Sequence, residues 1–118
     1  MNPPQNIPGK GFYYHYKHDP NGPINAYAYQ VLGVGHHTEE DLFFVVYRPI
    51  YEAYVYKLGK MFDIRPLDTF MEQVEKDGYK IARFERVTDP LVLLKLIEIR
   101  DSMYPEDLPL EPGSCFPV

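Results

Sequence analysis

GFYYHYK, Gly11 to Lys17, alternates along its length: Phe12, Tyr14 and Tyr16 fall on one side, Tyr13, His15 and Lys17 on the other. That period of two predicts a strand, and the turn-forming DPNGP, Asp19 to Pro23, ends it. Working outward, AYAYQVLGV, Ala26 to Val34, predicts a second strand, and LFFVVY, Leu42 to Tyr47, a third. The polar GHHTEED, Gly35 to Asp41, joins these two as an antiparallel hairpin. Arg48-Pro49 is expected to interrupt pairing, since proline has no donor for the ladder. Tyr51 to Tyr56 and Lys60 to Ile64 read as weaker strands.

At Pro66 the period changes. Leu67, Phe70, Met71 and Val74 recur at helical spacing, with Pro66 at the first position, Glu72 and Lys76 one turn apart, and Gly78 as a left-handed exit, which predicts a helix at about 66–77. Tyr79 to Val87 follows as one short strand. In DPLVLLKLIEIRDSM, Asp89 caps and Pro90 opens a second helix at about 89–103. Its apolar face, with Val92, Leu93, Leu96, Ile97, Ile99 and Met103, has to be covered, by the sheet or by a second copy of the chain in a homodimer. The fold class is therefore α+β, mainly β with two helices.

The chain has 118 residues, enough for a single domain with tails. Apolar residues make up 45%, too many for a disordered chain, and the longest apolar run, Leu42 to Tyr47, is far short of a membrane span. MNPPQNIPGKG lacks the apolar centre of an export signal, so a cytoplasmic location is expected. One cysteine, Cys115, rules out an internal disulfide framework and a multi-cysteine zinc site. A net charge of −5 argues against a coater of bulk nucleic acid. Tyrosine occurs 11 times and tryptophan not at all, so many rings carry a hydroxyl that needs water or a partner. Prolines gather at both ends (Pro3, Pro4 and Pro8; Pro105, Pro109, Pro112 and Pro117), which reads as tails.

Six ordered blocks resemble a known family. They are GFYYHYK; Tyr29-Gln30-Val31-Leu32-Gly33-Val34; His37-Thr38-Glu39; Val45-Val46-Tyr47; Arg65-Pro66-Leu67 with Phe70; and Arg83-Phe84. Together they are similar to the small bacterial domain-of-unknown-function family 1653, over about residues 11–86. The resemblance implies a small SH3-like antiparallel barrel and brings no activity with it. It divides the chain into a Pro-rich tail at 1–10, a barrel domain at 11–87, and a C-terminal helix and Pro-rich tail at 88–118. Three departures stand out: Tyr14 where the family has arginine, Phe62 or Ile64 where it has tryptophan, and an apparent insertion from His18 to Ala28.

Three functional readings follow. His15, His37 and Glu39 make a set able to hold a catalytic metal or to move protons, the basis of a metal-assisted or acid–base hydrolase; the same residues also serve as turn and barrel hydrogen-bonders. His36 is read as solvent-facing. No nucleophile elbow, phosphate-cradling glycine loop or H-E-x-x-H motif is present, and Thr38 has no marked base. Alternatively Tyr13, His15, Lys17, Tyr47, Arg65 and Arg83, with His37 and Glu39 nearby, line a groove for a small anionic or nucleotide-like ligand. Against it stands a structural network in which Arg65 and Arg83 pair with carboxylates such as Glu39. The third reading is an oligomeric adaptor using the C-terminal helix. The preferred expectation is a non-catalytic binding module with no resident cofactor or metal.

Overall fold

The computed structural model describes residue 4 and residues 6–107. Of the expected tails, residues 1–3, 5 and 108–118 fall outside the described residues, and with them Pro3, Pro109, Pro112, Cys115 and Pro117, whereas Pro8 is described and buried. Seven strands and three helices run in the order β1 (Gly11–His15), β2 (Ala28–His36), β3 (Phe43–Pro49), α1 (Tyr54–Lys57), β4 (Asp63–Pro66), α2 (Leu67–Phe70), β5 (Gln73–Lys76), β6 (Tyr79–Ala82), β7 (Phe84–Arg86) and α3 (Pro90–Met103). A single 3-10 turn, Pro105–Asp107, follows α3.

Five strands form one antiparallel sheet, ordered β4-β3-β2-β1-β7. Its two faces follow from strand alternation. Tyr13, Val31, Val45, Tyr47 and Phe84 share one core, which Phe70 of α2 caps; Phe12, Ala28, Ile50 and Val87 belong to the other. A bulge between Val31 and Gly33 inserts Leu32, so Val31 and Val34 pack against the same core although they are three residues apart.

The second core is closed by α3. Asp89 accepts from the N–H groups of Leu91 at 2.9 Å and Val92 at 3.4 Å, and Pro90 opens the helix, as its sequence predicts. Leu96 and Tyr104 are buried against the sheet, with Val92, Leu93 and Ile97 beside them. Tyr104 donates its hydroxyl to the Pro49 carbonyl at 2.7 Å. The apolar face of α3 is thus covered by the chain's own sheet, while Leu91 and Leu94 stay exposed.

Several expectations are corrected. The described strands do not close into a barrel: the sheet has free edges at β4 and β7, and β5 and β6 form a separate hairpin. The helix expected at 66–77 is only the turn Leu67–Phe70. The dipeptide Asp77-Gly78, with φ of 53° and 82°, is a two-residue hairpin turn rather than a helix exit, and it pairs Gln73–Lys76 with Tyr79–Ala82. Glu72 and Lys76 accordingly part: Glu72 meets Arg83, and Lys76 reaches the Tyr16 carbonyl at 2.8 Å. The strand expected from Tyr79 to Val87 breaks at Arg83 into β6 and β7, which lie in different sheets. Tyr51 to Tyr56 is not a strand, since a helical turn begins at Tyr54. Among the described residues the helices therefore number three instead of two. Arg48-Pro49 does not end the pairing, because Gln30 faces Arg48 and Tyr29 faces Pro49.

Candidate functional site

Strand register gathers the polar residues at one end of the Tyr13–Phe84 face. His15 lies opposite Phe84, Tyr13 opposite Tyr29, Tyr47 opposite Asp63, and Val45 opposite Arg65. Partners across a ladder share a face. Asp63 and Arg65, two apart on the edge strand, therefore emerge beside Tyr47 and Val45. Arg83 sits where β6 gives way to β7, and its backbone is held on both sides. Its N–H donates to the Glu72 carbonyl at 3.0 Å, and its carbonyl accepts from Tyr16 at 2.9 Å.

The floor is aromatic. Tyr29, Tyr47 and Phe84 meet edge to face at centroid distances of 5.4–5.8 Å, and Phe70 stacks on Phe84 at 4.2 Å. Tyr27 and Tyr51 extend this wall toward solvent, with Tyr27 5.8 Å from His15 and 6.0 Å from Tyr51. Tyr27 holds φ at 57°, a left-handed conformation that a bulky side chain adopts only under constraint, and its ring is 40% exposed. The Tyr27 carbonyl accepts from the His15 N–H at 3.0 Å, which fixes the ring at the rim of the site.

The cations sit above that floor. Arg65 donates from Nε to the Tyr47 hydroxyl at 3.3 Å and lies 5.5 Å over the Phe84 ring. Its terminal nitrogens have no hydrogen bond or ion pair among the described residues. Arg83 reaches Glu72 at 3.4 Å through one terminal nitrogen, whereas its buried Nε has no hydrogen-bond partner among the described residues. Burial first, then the charges of Lys17, Arg65 and Arg83, push the His15 pKa down to about 4. His15 is therefore neutral at pH 7. Its Nδ1 accepts the Lys17 N–H at 3.2 Å, which puts the ring proton on Nε2. Burial raises Tyr29 and Tyr51, whose hydroxyls hydrogen-bond to each other, and it raises Asp63 against the pull of Arg65.

The sequence-predicted residues separate into two groups. His15, Lys17, Tyr47, Arg65 and Arg83 come together. His37 and Glu39 lie in the loop at the far end of β2, about 25 Å from His15 along a nine-residue strand. There His37 Nδ1 accepts from the N–H groups of Glu39 and Glu40 at 3.2 and 3.1 Å, so this histidine organises its own turn. His36 is exposed and faces Asp41 at 3.7 Å. Among the described residues no three His, Cys, Asp or Glu side chains gather as metal ligands. Tyr13 is buried beneath the site, donates to the Gly9 carbonyl at 2.8 Å and accepts from Arg86 at 3.2 Å, a structural placement. The expected pairing of Arg65 or Arg83 with Glu39 is absent. Sequence reasoning missed Tyr27, Tyr29, Tyr51 and Asp63. Alternation of Asp63 with Arg65 across from Tyr47 was the signal available for the last of these.

A cavity of about 570 Å³ opens elsewhere, between Tyr14, His18, Ile24, Val87 and Val92. Its lining also carries Glu85, Arg86, Thr88 and Asp89. Its cation, Arg86, already serves the Tyr13 hydroxyl and, at 2.9 Å, the Lys10 carbonyl.

The model of a family described as protein of unknown function (DUF1653) matches residues 11–86. Among solved structures, a DUF1653 protein from Bordetella bronchiseptica is 29% identical, with a TM-score of 0.52, and the match covers 67% of this chain and 86% of that one. No curated protein matches. No helix among the described residues is long and apolar enough to cross a membrane.

Proposed function

We propose that this chain, which belongs to the DUF1653 family of proteins of unknown function, is a small non-catalytic cytoplasmic module that binds a small anionic or nucleotide-like ligand at His15, Arg65 and Arg83. One observation carries the reading: Arg65, which forms no ion pair among the described residues, lies over the Phe84 ring, and its charge converges with those of Arg83 and Lys17 on His15, in a chain of net charge −5. A purely structural arginine in an acidic protein has many carboxylates to choose from. Burial chiefly lowers the His15 pKa, and the charges of Lys17, Arg65 and Arg83, which add to that shift, place all three cations within electrostatic reach of the ring. His15 contributes a neutral Nε2–H donor, the arginines contribute forked donors for phosphate or carboxylate, and Tyr27 offers a ring face for stacking.

The site holds one neutral imidazole and no adjacent nucleophile, which favours binding over turnover. The test is a panel of nucleotides, inorganic phosphate, pyrophosphate and short nucleic-acid fragments, scored by thermal shift on the wild type and His15→Ala. A saturable rise in Tm for a small anion, weakened in the variant, supports the proposal. No shift with any member of the panel contradicts it.

A further inference from the structure

Asp63 adjoins the cationic site and is not neutralised by it. β4 places Asp63 and Arg65 on one face of the sheet, opposite Tyr47 and Val45. Opposite charges at that spacing commonly pair. Here Arg65 turns its Nε to the Tyr47 hydroxyl, and the Asp63 carboxylate accepts no hydrogen bond and joins no ion pair among the described residues. Asp63 is nevertheless half-buried. Its charge reaches the Tyr29 and Tyr51 hydroxyls and helps to raise both. A half-buried carboxylate with no donor is costly, and the cost is relieved only when a donor arrives.

The site therefore has two unlike ends. One end offers the terminal nitrogens of Arg65, unpaired among the described residues, with the Arg83 charge close to the same imidazole; the other offers the Asp63 carboxylate, whose charge reaches the Tyr29 and Tyr51 hydroxyls. The rings of Tyr27 and His15, 5.8 Å apart and tilted 28° to each other, line the cationic end. A simple anion satisfies the first end and is repelled by the second. A simple cation has the opposite fault.

We infer that the ligand is a planar, nitrogen-bearing ring carrying an anionic group, with Asp63 accepting the N–H edge of the ring while Arg65 and Arg83 hold the anion. This rests on the anion-binding reading above and adds to it the class of ligand. Asp63 is then the specificity-determining residue, since a ring without N–H donors leaves the carboxylate desolvated and unpaired.

Isothermal titration of the full chain with three probes tests it. Guanosine monophosphate presents two N–H donors on one ring edge; purine riboside monophosphate has the same phosphate without them; inorganic pyrophosphate is the anion alone. In the wild type, guanosine monophosphate is expected to bind at least about tenfold more tightly than purine riboside monophosphate. Asp63→Asn is expected to shrink that ratio to about threefold or less by weakening guanosine monophosphate alone. Equal affinity of the two nucleotides in the wild type overturns the inference, as does an undiminished ratio in a folded Asp63→Asn. Should that variant misfold, Asp63→Ser, which also removes the carboxylate, replaces it, with an undiminished ratio again overturning the inference. Pyrophosphate binding with both nucleotides failing overturns the ring and leaves the anion site standing. Failure of all three overturns both.

Discussion

The Arg65 guanidinium and the Tyr47 hydroxyl are joined by one hydrogen bond of 3.3 Å, with the Phe84 ring 5.5 Å below the guanidinium carbon. That bond orients the cation without neutralising it. Tyr47 is buried and anchored in the aromatic core, so the arginine is held by a rigid neighbour while its outer nitrogens remain available. Geometry of this kind costs little in the folded protein and saves ordering entropy when an anion arrives.

Arg65→Gln removes the charge and keeps a polar side chain. The folded state loses one long hydrogen bond from a charged donor and the contact with the Phe84 ring, about 1 kcal/mol at this partly exposed position. Pyrophosphate affinity should fall by about tenfold or more, as expected for a charge-assisted contact. Calorimetric titration and a thermal melt on the same sample separate the two effects.

Tyr27→Asn separates ring from backbone. Asparagine tolerates the left-handed conformation at φ 57° better than tyrosine does, so Tm should hold or rise. Binding of a ring-bearing ligand should weaken through lost stacking, by about 1–3 kcal/mol. An unaltered affinity would remove Tyr27 from the site.

The titrating groups predict a pH response with two opposing parts. His15 has a folded pKa near 4, below its ordinary 6.5, so the unfolded chain binds the proton more readily. Stability is unaffected by this group above pH 6.5 and falls as the pH drops through the window from 6.5 to 4. Asp63 is raised, so its folded form resists ionisation. It therefore lowers stability once the pH passes above its unfolded value of 3.8, and Asp63→Asn should melt higher than the wild type at pH 7. Thermal melts from pH 4 to pH 7 on wild type, His15→Ala and Asp63→Asn check both signs.

Leu96 fixes α3 to the sheet and is fully buried. Leu96→Ala should cost about 2–5 kcal/mol in denaturant unfolding. Leu94→Ala, on the exposed side of the same helix, should change stability by no more than about 0.5 kcal/mol. Equal effects of the two substitutions would mean that the helix faces the other way.

What was legible in the sequence follows the strength of local signals. The alternation of GFYYHYK placed Tyr13 and His15 on one face and Phe12 and Tyr14 on the other, because a strand's period of two leaves no other option. Asp89 and Pro90 marked α3 because capping chemistry is local. The helix at 66–77 misled because Leu67, Phe70, Met71 and Val74 fit a helical stripe, while the decisive feature, Asp77-Gly78, allows either a helix exit or a hairpin. Tertiary pairing decided for the hairpin, and Met71 is left exposed.

At the site, His15, Arg65 and Arg83 were readable as candidates, but their neighbours were not. Which residues stand opposite one another depends on register across strands up to about 70 positions apart in sequence. The same cause separates His37 and Glu39 from His15, since a hairpin loop and the opposite end of its strand never meet. Tyr27 belongs to the segment His18 to Ala28 that the family resemblance reads as inserted, where no strand pattern indicates a side. The segment is tied down by the Tyr14 hydroxyl on the Ile24 carbonyl at 2.5 Å and by the Tyr14–His18 stack at 3.6 Å. Tyr14 thus supports the element that carries Tyr27.

The most direct measurement is the NMR titration of the His15 ring in the presence and absence of inorganic pyrophosphate, on the wild type and on Arg65→Gln/Arg83→Gln. Without pyrophosphate the midpoint should lie near pH 4 in the wild type and higher in the double variant, which lacks two of the charges that depress it. Saturating pyrophosphate should raise the wild-type midpoint, because a bound anion opposes those charges, and should leave the double variant unchanged. A wild-type midpoint that pyrophosphate does not move, or one that moves equally in both proteins, contradicts an anion site at His15, Arg65 and Arg83.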